Sequence, residues 1–485
     1  MLFNSLEFAI FLPIVFFLYW FCTNKSLKLQ NAFIVVSSYI FYGWWDWKFL
    51  SLILISTLED YFVALKIQNT TDERKRKMWL LISIVVNLGI LGFFKYYNFF
   101  INNFITAFSL FGAKLNISTL NIILPVGISF YTFQTMSYTI DVYRRKLEPT
   151  RDFISFAAFV SFFPLLVAGP IERATNLLSQ FYSRRTFDYQ KSVNGMRQIL
   201  WGLFKKVAVA DNCAVIVDNI FKNYQDQSGS ILLLGAILFA FQIYSDFSGY
   251  SDIAIGTARL FGFNAMRNFS FPYFSRDIAE FWRRWHISLT TWFRDYVYFP
   301  LGGSRASKLK VVRNTFIIFL VSGFWHGANW TFIIWGMFHA ALFLPLILLN
   351  KNRKYTDIVA EGKFFPSIKD FFQMSITFLL VTIGWVFFRS NNISQSIAYL
   401  RGMIDISLFS LPLLATYRKK LLEAIIYSLF MIIIEWVGRK NQYGFEKLGI
   451  TWKPIFRYMM YYIFVLIILT SIFSGKEQVF IYFQF

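Results

Sequence analysis

The sequence predicts an all-α fold, a polytopic membrane helix bundle. Hydrophobic residues make up 56% of the 485 positions, aromatic residues 21% and charged residues 15%. A soluble domain has no interior large enough to hide that much apolar surface. Apolar runs recur along the whole chain, and Lys and Arg fall in short segments between them. No soluble domain, long linker or repeat interrupts the pattern, so residues 1–485 are expected to form a single integral-membrane domain.

The first run, 6–21, carries no basic leader and no small-residue cleavage site, and is expected to be retained as a first span. Runs near 32–47, 49–65, 78–94, 121–140, 153–169, 196–220 and 230–245 follow. The remainder lie near 314–325, 328–349, 371–388, 421–437 and 456–473. About 20 apolar residues cross a bilayer, which implies roughly eleven to thirteen spans or re-entrant pieces. Ile123-Leu124-Pro125-Val126-Gly127 and Phe163-Pro164 break two of them. Broken backbone at membrane depth needs protein or a watery cavity around it, so the bundle is expected to enclose a chamber.

Lys25 and Lys28 follow the first run, and Arg74-Lys75-Arg76-Lys77 follows the third. The positive-inside rule places both in the cytoplasm, the N-terminus outside, and Trp44, Trp45 and Trp47 at the outer interface. Arg144-Arg145-Lys146, Arg184-Arg185, Lys308 to Arg313 and Arg418-Lys419-Lys420 read as further cytoplasmic anchors. This topology accounts for the net charge of +21 better than nucleic acid does, so no nucleic-acid partner is expected. Cys22 and Cys213 offer neither ligand spacing nor a disulfide framework and are expected to be small core residues.

All three histidines, His286, His326 and His339, fall within one short stretch. A polar ring at membrane depth costs free energy and is retained for chemistry or transport more often than by accident. If residues 281–296 are one helix, Phe281, Trp285, Leu289, Trp292 and Tyr296 form an apolar stripe. Arg283, His286, Thr290 and Arg294 then line a polar one. An interfacial helix with its arginines on lipid phosphate fits the same spacing. Phe299-Pro300-Leu301-Gly302-Gly303 ends the element.

Small residues flank His326 in Ser322-Gly323-Phe324-Trp325-His326-Gly327-Ala328-Asn329, which lets a neighbouring backbone or a substrate approach. His326 is the leading catalytic candidate, against a core histidine bonding between helices. His339 follows thirteen positions later, about 140° away on one continuous helix, and is assigned a structural place. No histidine pair has ligand spacing, so no metal is expected. Asp246 and Asp252, within the apolar region, read as a polar wall or as partners of Arg residues. Glu172 and Arg173 read as a charge pair at a helix break.

Arg283-Arg284-Trp285-His286-Ile287-Ser288, then Tyr298 to Gly303, then Phe324-Trp325-His326-Gly327-Ala328 resemble the signature of the membrane-bound O-acyltransferase family. Within it the chain is similar to the bacterial branch that includes alginate O-acetyltransferase membrane subunits, with teichoic acid D-alanyl transferases more distant. Met1 to Ser5, Ala168 to Arg173, Ser245 to Asp252, Gly384 to Arg389 and Phe480 to Phe485 extend the likeness over nearly the whole chain.

The resemblance implies a bundle with a central funnel through the membrane, with the family's active-site histidines at His326 and His286. It implies a bacterial inner-membrane enzyme with no bound cofactor, taking acetyl-CoA or another acyl thioester as donor. The acceptor would be hydroxyls of an extracytoplasmic polysaccharide, with periplasmic acetyltransferase partner proteins. Arg283, Arg284 and Arg294 would hold donor phosphate; Asp246, Asp252, Trp325, Asn329 and Tyr482 would contact substrate. The tail at Tyr482 serves equally as an interfacial aromatic anchor. A D-alanyl or other acyl transferase and a non-catalytic acyl or glycan transporter are the alternatives.

Overall fold

A computed structural model describes the chain apart from residues 113, 114, 116, 168, 413–417, 475–477, 479 and 482–485. Every regular element among the described residues is helical. The chain divides into two compact units, one of residues 1–192 with 257–266, the other of 193–256 with 267–485.

The first unit begins with α1 (Leu6–Phe17), capped by Ser5, whose hydroxyl accepts from the Phe8 N–H. Helix α2 (Leu27–Asp46) and helix α3 (Leu50–Asn69) form a hairpin across a single turn. Each is 20 residues long, about 30 Å and thus a bilayer's hydrocarbon thickness. Helix α4 (Glu73–Leu91) continues through a π turn into α5 (Tyr97–Leu110). Helix α6 spans Ile128–Tyr143. Its start lies well after the beginning of the apolar run near 121, because Gly127 turns left-handed at φ +74° and a Cβ there would meet the Leu166 carbonyl.

The break expected at Phe163-Pro164 is present. Helix α7 (Phe153–Ser161) ends in the non-helical residue Phe162, and Pro164 opens the short α8 (Phe163–Leu166). Four basic segments gather at one end of this unit. Arg145 bonds Glu73 at 2.6 Å and Arg76 donates to the Tyr143 carbonyl. Arg185 donates to Gln30 and Asn31 beside Lys28. Trp44, Trp45 and Trp47 are exposed at the hairpin turn of α2 and α3.

The second unit takes most of α9 (Tyr189–Leu203) and then α10 (Asp211–Lys222), joined by a π turn over Phe204–Ala210. Helix α11 (Gly229–Leu260) runs for 32 residues. Two short helices, α12 (Ile278–Arg284) and α13 (Ile287–Phe293), precede the hairpin of α14 (Lys308–His326) and α15 (Trp330–Leu348). Helices α16 (Ile368–Arg389), α17 (Ile393–Met403), α18 (Arg418–Val437) and α19 (Pro454–Ser474) complete it. Glycines set the closest crossings: Cβ atoms at Gly202 and Gly256 would meet the Gly249 and Gly195 carbonyls at 2.6 Å.

Among the described residues, five helices are long and apolar enough to cross a membrane: 73–110, 229–260, 330–348, 368–389 and 454–473. The protein is therefore a multi-pass membrane protein, and outward Leu, Ile and Phe on these helices are the surface that lipid would cover. Cys213 is buried as expected, but Cys22 is exposed at the end of the first helical segment and is not a core residue.

Candidate functional site

The expectation of one helix through residues 281–296 fails at Trp285 and His286. Trp285 is extended and His286 is left-handed, at φ +43° and ψ +55°. The polar stripe of Arg283, His286, Thr290 and Arg294 therefore does not form. A left-handed conformation costs an L side chain about 1–2 kcal/mol, so the surroundings must impose it. They do so through Asn268, whose carbonyl accepts from the Ile287 N–H at 2.9 Å. Its side-chain oxygen accepts from the Ser288 hydroxyl at 2.9 Å, and its amide donates to Ser251 on α11. The His286 ring is buried against Phe247, with centroids 4.6 Å apart, and faces Trp325 at 6.1 Å.

His326 is the last residue of α14. Gly327 is extended, a Cβ there would run into the Phe332 ring, and the Asn329 side chain caps α15 by accepting from the Thr331 N–H. Sharp reversal thus leaves the His326 ring at the helix end, 3% exposed, edge-on to Trp325, Trp335 and Phe388 at 5.0 to 5.3 Å. His339, on α15, meets the same Trp335 at 5.0 Å and also Trp282 at 5.1 Å. The angular separation of His326 and His339 assumed one continuous helix; the hairpin instead brings both rings against one tryptophan. His286, Trp325, His326, Trp335 and His339 are consecutive neighbours in one aromatic block.

Beside the block lies a buried charge cluster. The π turn after α9 inserts Lys205 and Lys206 into the interior. Adjacent residues of a helical turn point in different directions, and Asp246 and Asp252, six apart on α11, diverge by about 120°. Each aspartate therefore meets its own lysine. Lys205 bonds Asp252 at 2.6 Å and Ser248 at 2.9 Å; Lys206 bonds Asp246 at 2.9 Å and Asp211 at 2.7 Å. Asp246 also accepts from the Ile481 N–H at 2.7 Å, and Phe480 packs on Tyr250 and Phe247. The partners are lysines, where arginines had been the expected alternative to a polar wall.

A cavity of about 20 Å³, room for about one water, is lined by Lys205, Asp252, Tyr244, Arg267, Asn268 and Glu435 among others. Tyr244 donates its hydroxyl to the Glu435 carboxylate at 2.8 Å. Asn268 is thus shared between the cavity wall and the backbone that holds His286.

The arginines of the motif are engaged elsewhere. Arg283 donates to the Asn352 and Tyr355 carbonyls. Arg284 bonds Glu280 at 2.7 Å and the Asp357 carbonyl. Arg276 bonds both Glu280 and Asp357, and holds the Asp357 carboxyl below the usual carboxylate range. Together they brace the loop over residues 352–357. Arg294 pairs with its neighbour Asp295 at 2.8 Å and is exposed. Tyr482 lies outside the described residues. Glu172 closes a loop: it accepts from the Met266 N–H and from Asn176 at 2.8 Å, and burial pushes it up to about 7.

Sequence reasoning missed Lys205, Lys206, Tyr244, Arg267, Asn268 and Glu435. The two lysines inside the apolar run 196–220 and the glutamate inside 421–437 were the available signal, since charge at membrane depth marks a paired or functional site.

Buried histidines and charged pairs inside an integral-membrane helical fold mark the class of membrane proteins with a functional interior. The sequence pattern of the membrane-bound O-acyltransferase family matches residues 144–382, which hold all three histidines. The probable alginate O-acetylase AlgI of Pseudomonas aeruginosa is 38% identical over 92% of this chain and 82% of its own. The peptidoglycan O-acetyltransferase of Helicobacter pylori is 34% identical over 100% of this chain and 98% of its own. The teichoic acid D-alanyltransferase of Bacillus subtilis is 28% identical over 55% and 69%. The chain belongs to the membrane-bound O-acyltransferase family and is an O-acyltransferase.

Proposed function

We propose that the protein moves an acetyl group from a cytoplasmic thioester, acetyl-CoA or an acylated carrier, to hydroxyls of an extracytoplasmic polysaccharide. Its place is the bacterial inner membrane, as a single catalytic domain whose funnel joins the two sides, together with periplasmic acetyltransferase partners. The relatives of higher identity and fuller coverage are named for O-acetyl transfer, which favours acetyl over D-alanyl. The observation that carries the chemistry is the position of His326 at the C-terminal end of α14, within the aromatic block that also holds His286.

In this reading the His326 imidazole takes the hydroxyl proton as the acceptor oxygen attacks the thioester carbonyl. The C–O bond forms, the C–S bond breaks, and the departing thiolate receives the proton. His286, fixed by its own backbone, donates to the oxygen on which charge develops. A positioned base contributes about 10²–10⁴-fold and an oxyanion donor about 10²–10³-fold. Asp246 and Asp252, each held by a lysine, position the polar wall, and Asp246 also holds the Ile481 backbone; Trp325 and Asn329 shape the approach to His326.

The test supplies labelled acetyl-CoA, glycan and partner proteins to the purified enzyme. His326→Ala is expected to lower ester formation at least 100-fold at unchanged membrane abundance. Retained transfer in that variant would overturn the base assignment. Label that crosses without becoming an ester would establish a transporter, and D-alanyl ester formed from the matching carrier would establish the other acyl donor.

A further inference from the structure

We propose that a cleft in the first unit is a binding site for a phosphate ester. The cleft encloses about 430 Å³ between the end of the first helical segment at Trp20, the loop 179–188, the start of α9 and the stretch 259–264. That is within the range of small-ligand sites. Four cations line it, Arg184, Arg185, Lys191 and Arg259, against one carboxylate, Asp188.

Arg185 is the built part. It is 9% exposed, stacks over Phe263 at 4.9 Å, and donates to Gln30, Asn31 and the Gln180 carbonyl. All of these acceptors are neutral, so a buried guanidinium keeps its full charge, and no ion pair to it exists among the described residues. Burying an uncompensated charge is expensive, and an anion in the adjacent cleft would offset that cost. Arg184 and Lys191, both exposed, likewise have no carboxylate partner among the described residues. Asp188 is already engaged, its carboxylate accepting from the Lys191 backbone N–H at 3.1 Å.

Exposed aromatic residues flank the cleft: Tyr182, Phe187 and Tyr189 are 47%, 50% and 68% exposed. Cations interleaved with such rings are the composition found where a protein meets lipid headgroups. The cleft also opens at the end of the unit where the basic segments gather, the end assigned to the cytoplasm. A guanidinium pair with an ammonium group matches a phosphate ester in charge and donor geometry. That ester comes either from an anionic lipid headgroup or from a soluble phosphorylated nucleotide such as the one a coenzyme thioester carries. The site stands independently of the acyl-transfer reading, because its occupancy is read without turnover.

The full chain is placed in phosphatidylcholine nanodiscs and titrated with adenosine 3′,5′-bisphosphate by calorimetry. In parallel, protein purified from phosphatidylglycerol-containing membranes is weighed by native mass spectrometry for retained lipid. Wild type is expected to bind one of the two probes, with affinity falling as salt rises. Arg184→Gln with Lys191→Gln, both exposed and so compatible with folding, is expected to weaken that binding at least tenfold at unchanged melting temperature. Nucleotide binding alone identifies the soluble source, and lipid retention alone the headgroup. Binding of neither probe, or equal binding by wild type and the double variant, overturns the proposal.

Discussion

His286 combines two separable roles in a single residue. Its ring and its backbone do different things: the ring fills space beside Phe247, while the left-handed backbone turns the chain between α12 and α13. Two substitutions separate them. Both His286→Asn and His286→Val remove the imidazole, and both are expected to lower transfer by a similar factor, about 10²-fold. Only valine is also strained, because asparagine visits the left-handed region readily and a β-branched side chain does not. Thermal unfolding of the two variants in detergent is expected to differ by about 1–2 kcal/mol, with valine the less stable. Equal stability would show that the positive φ carries no strain. This turn was not legible in the sequence, where the run reads smoothly as a helix with an apolar stripe. Nothing local marks the break; it is imposed by Asn268, distant enough in sequence that no short-range pattern includes it.

Elements were legible where composition alone determines them and illegible where close contact does. The apolar runs located α2, α3, α15, α16 and α19 within a few residues, and Pro164 located the break after α7. The π turn at 204–210 escaped, since a single extra residue in a helix leaves the hydrophobic period almost unchanged. The α14 and α15 hairpin shows what contact decides. A Cβ at Gly323 would collide with the Phe332 carbonyl, and one at Gly336 with the Phe319 carbonyl. Gly336→Ala must therefore push the helices apart, at a cost of about 1–3 kcal/mol in melting measurements, and is expected to lower transfer by moving Trp335 against His326. Wild-type stability and turnover in Gly336→Ala would remove the hairpin from the positioning of His326. The loop of Glu172 offers a second test at this scale. Burial raises its folded pKa from 4.5 to about 7, so the proton stabilises the fold fully below about pH 4.5 and that contribution disappears as pH rises to about 7. The loss is roughly 3 kcal/mol. Melting temperature is expected to fall across that window in wild type and to fall less in Glu172→Gln, which keeps the acceptor for the Met266 N–H. Identical pH profiles would show that Glu172 does not titrate there.

At the scale of the molecule, composition settled the membrane class and charge distribution settled which ends belong together. Arg144-Arg145-Lys146 and Arg74 to Lys77 were assigned to one side from charge alone, and the structure joins them through Glu73. Arg185 ties its loop to the start of α2 in the same way. What charge could not reveal was the interior pairing of Lys205 and Lys206 with Asp252 and Asp246, which depends on a helix phase set by the π turn. The gathered cations make a definite prediction of orientation. About 1 kcal/mol favours each basic residue near an anionic cytoplasmic surface, so an end carrying several is held there firmly. With Cys22 replaced by serine and buried Cys213 left in place, a single cysteine at Lys75 or Lys146 is expected to resist a membrane-impermeant maleimide in intact cells and to react once the membrane is opened. A cysteine at exposed Trp47, beyond the opposite end of α2, is expected to react in both states. The reverse pattern would put the N-terminus inside and move the phosphate-binding cleft to the outer face, where neither a cytoplasmic coenzyme nor inner-leaflet lipid reaches it.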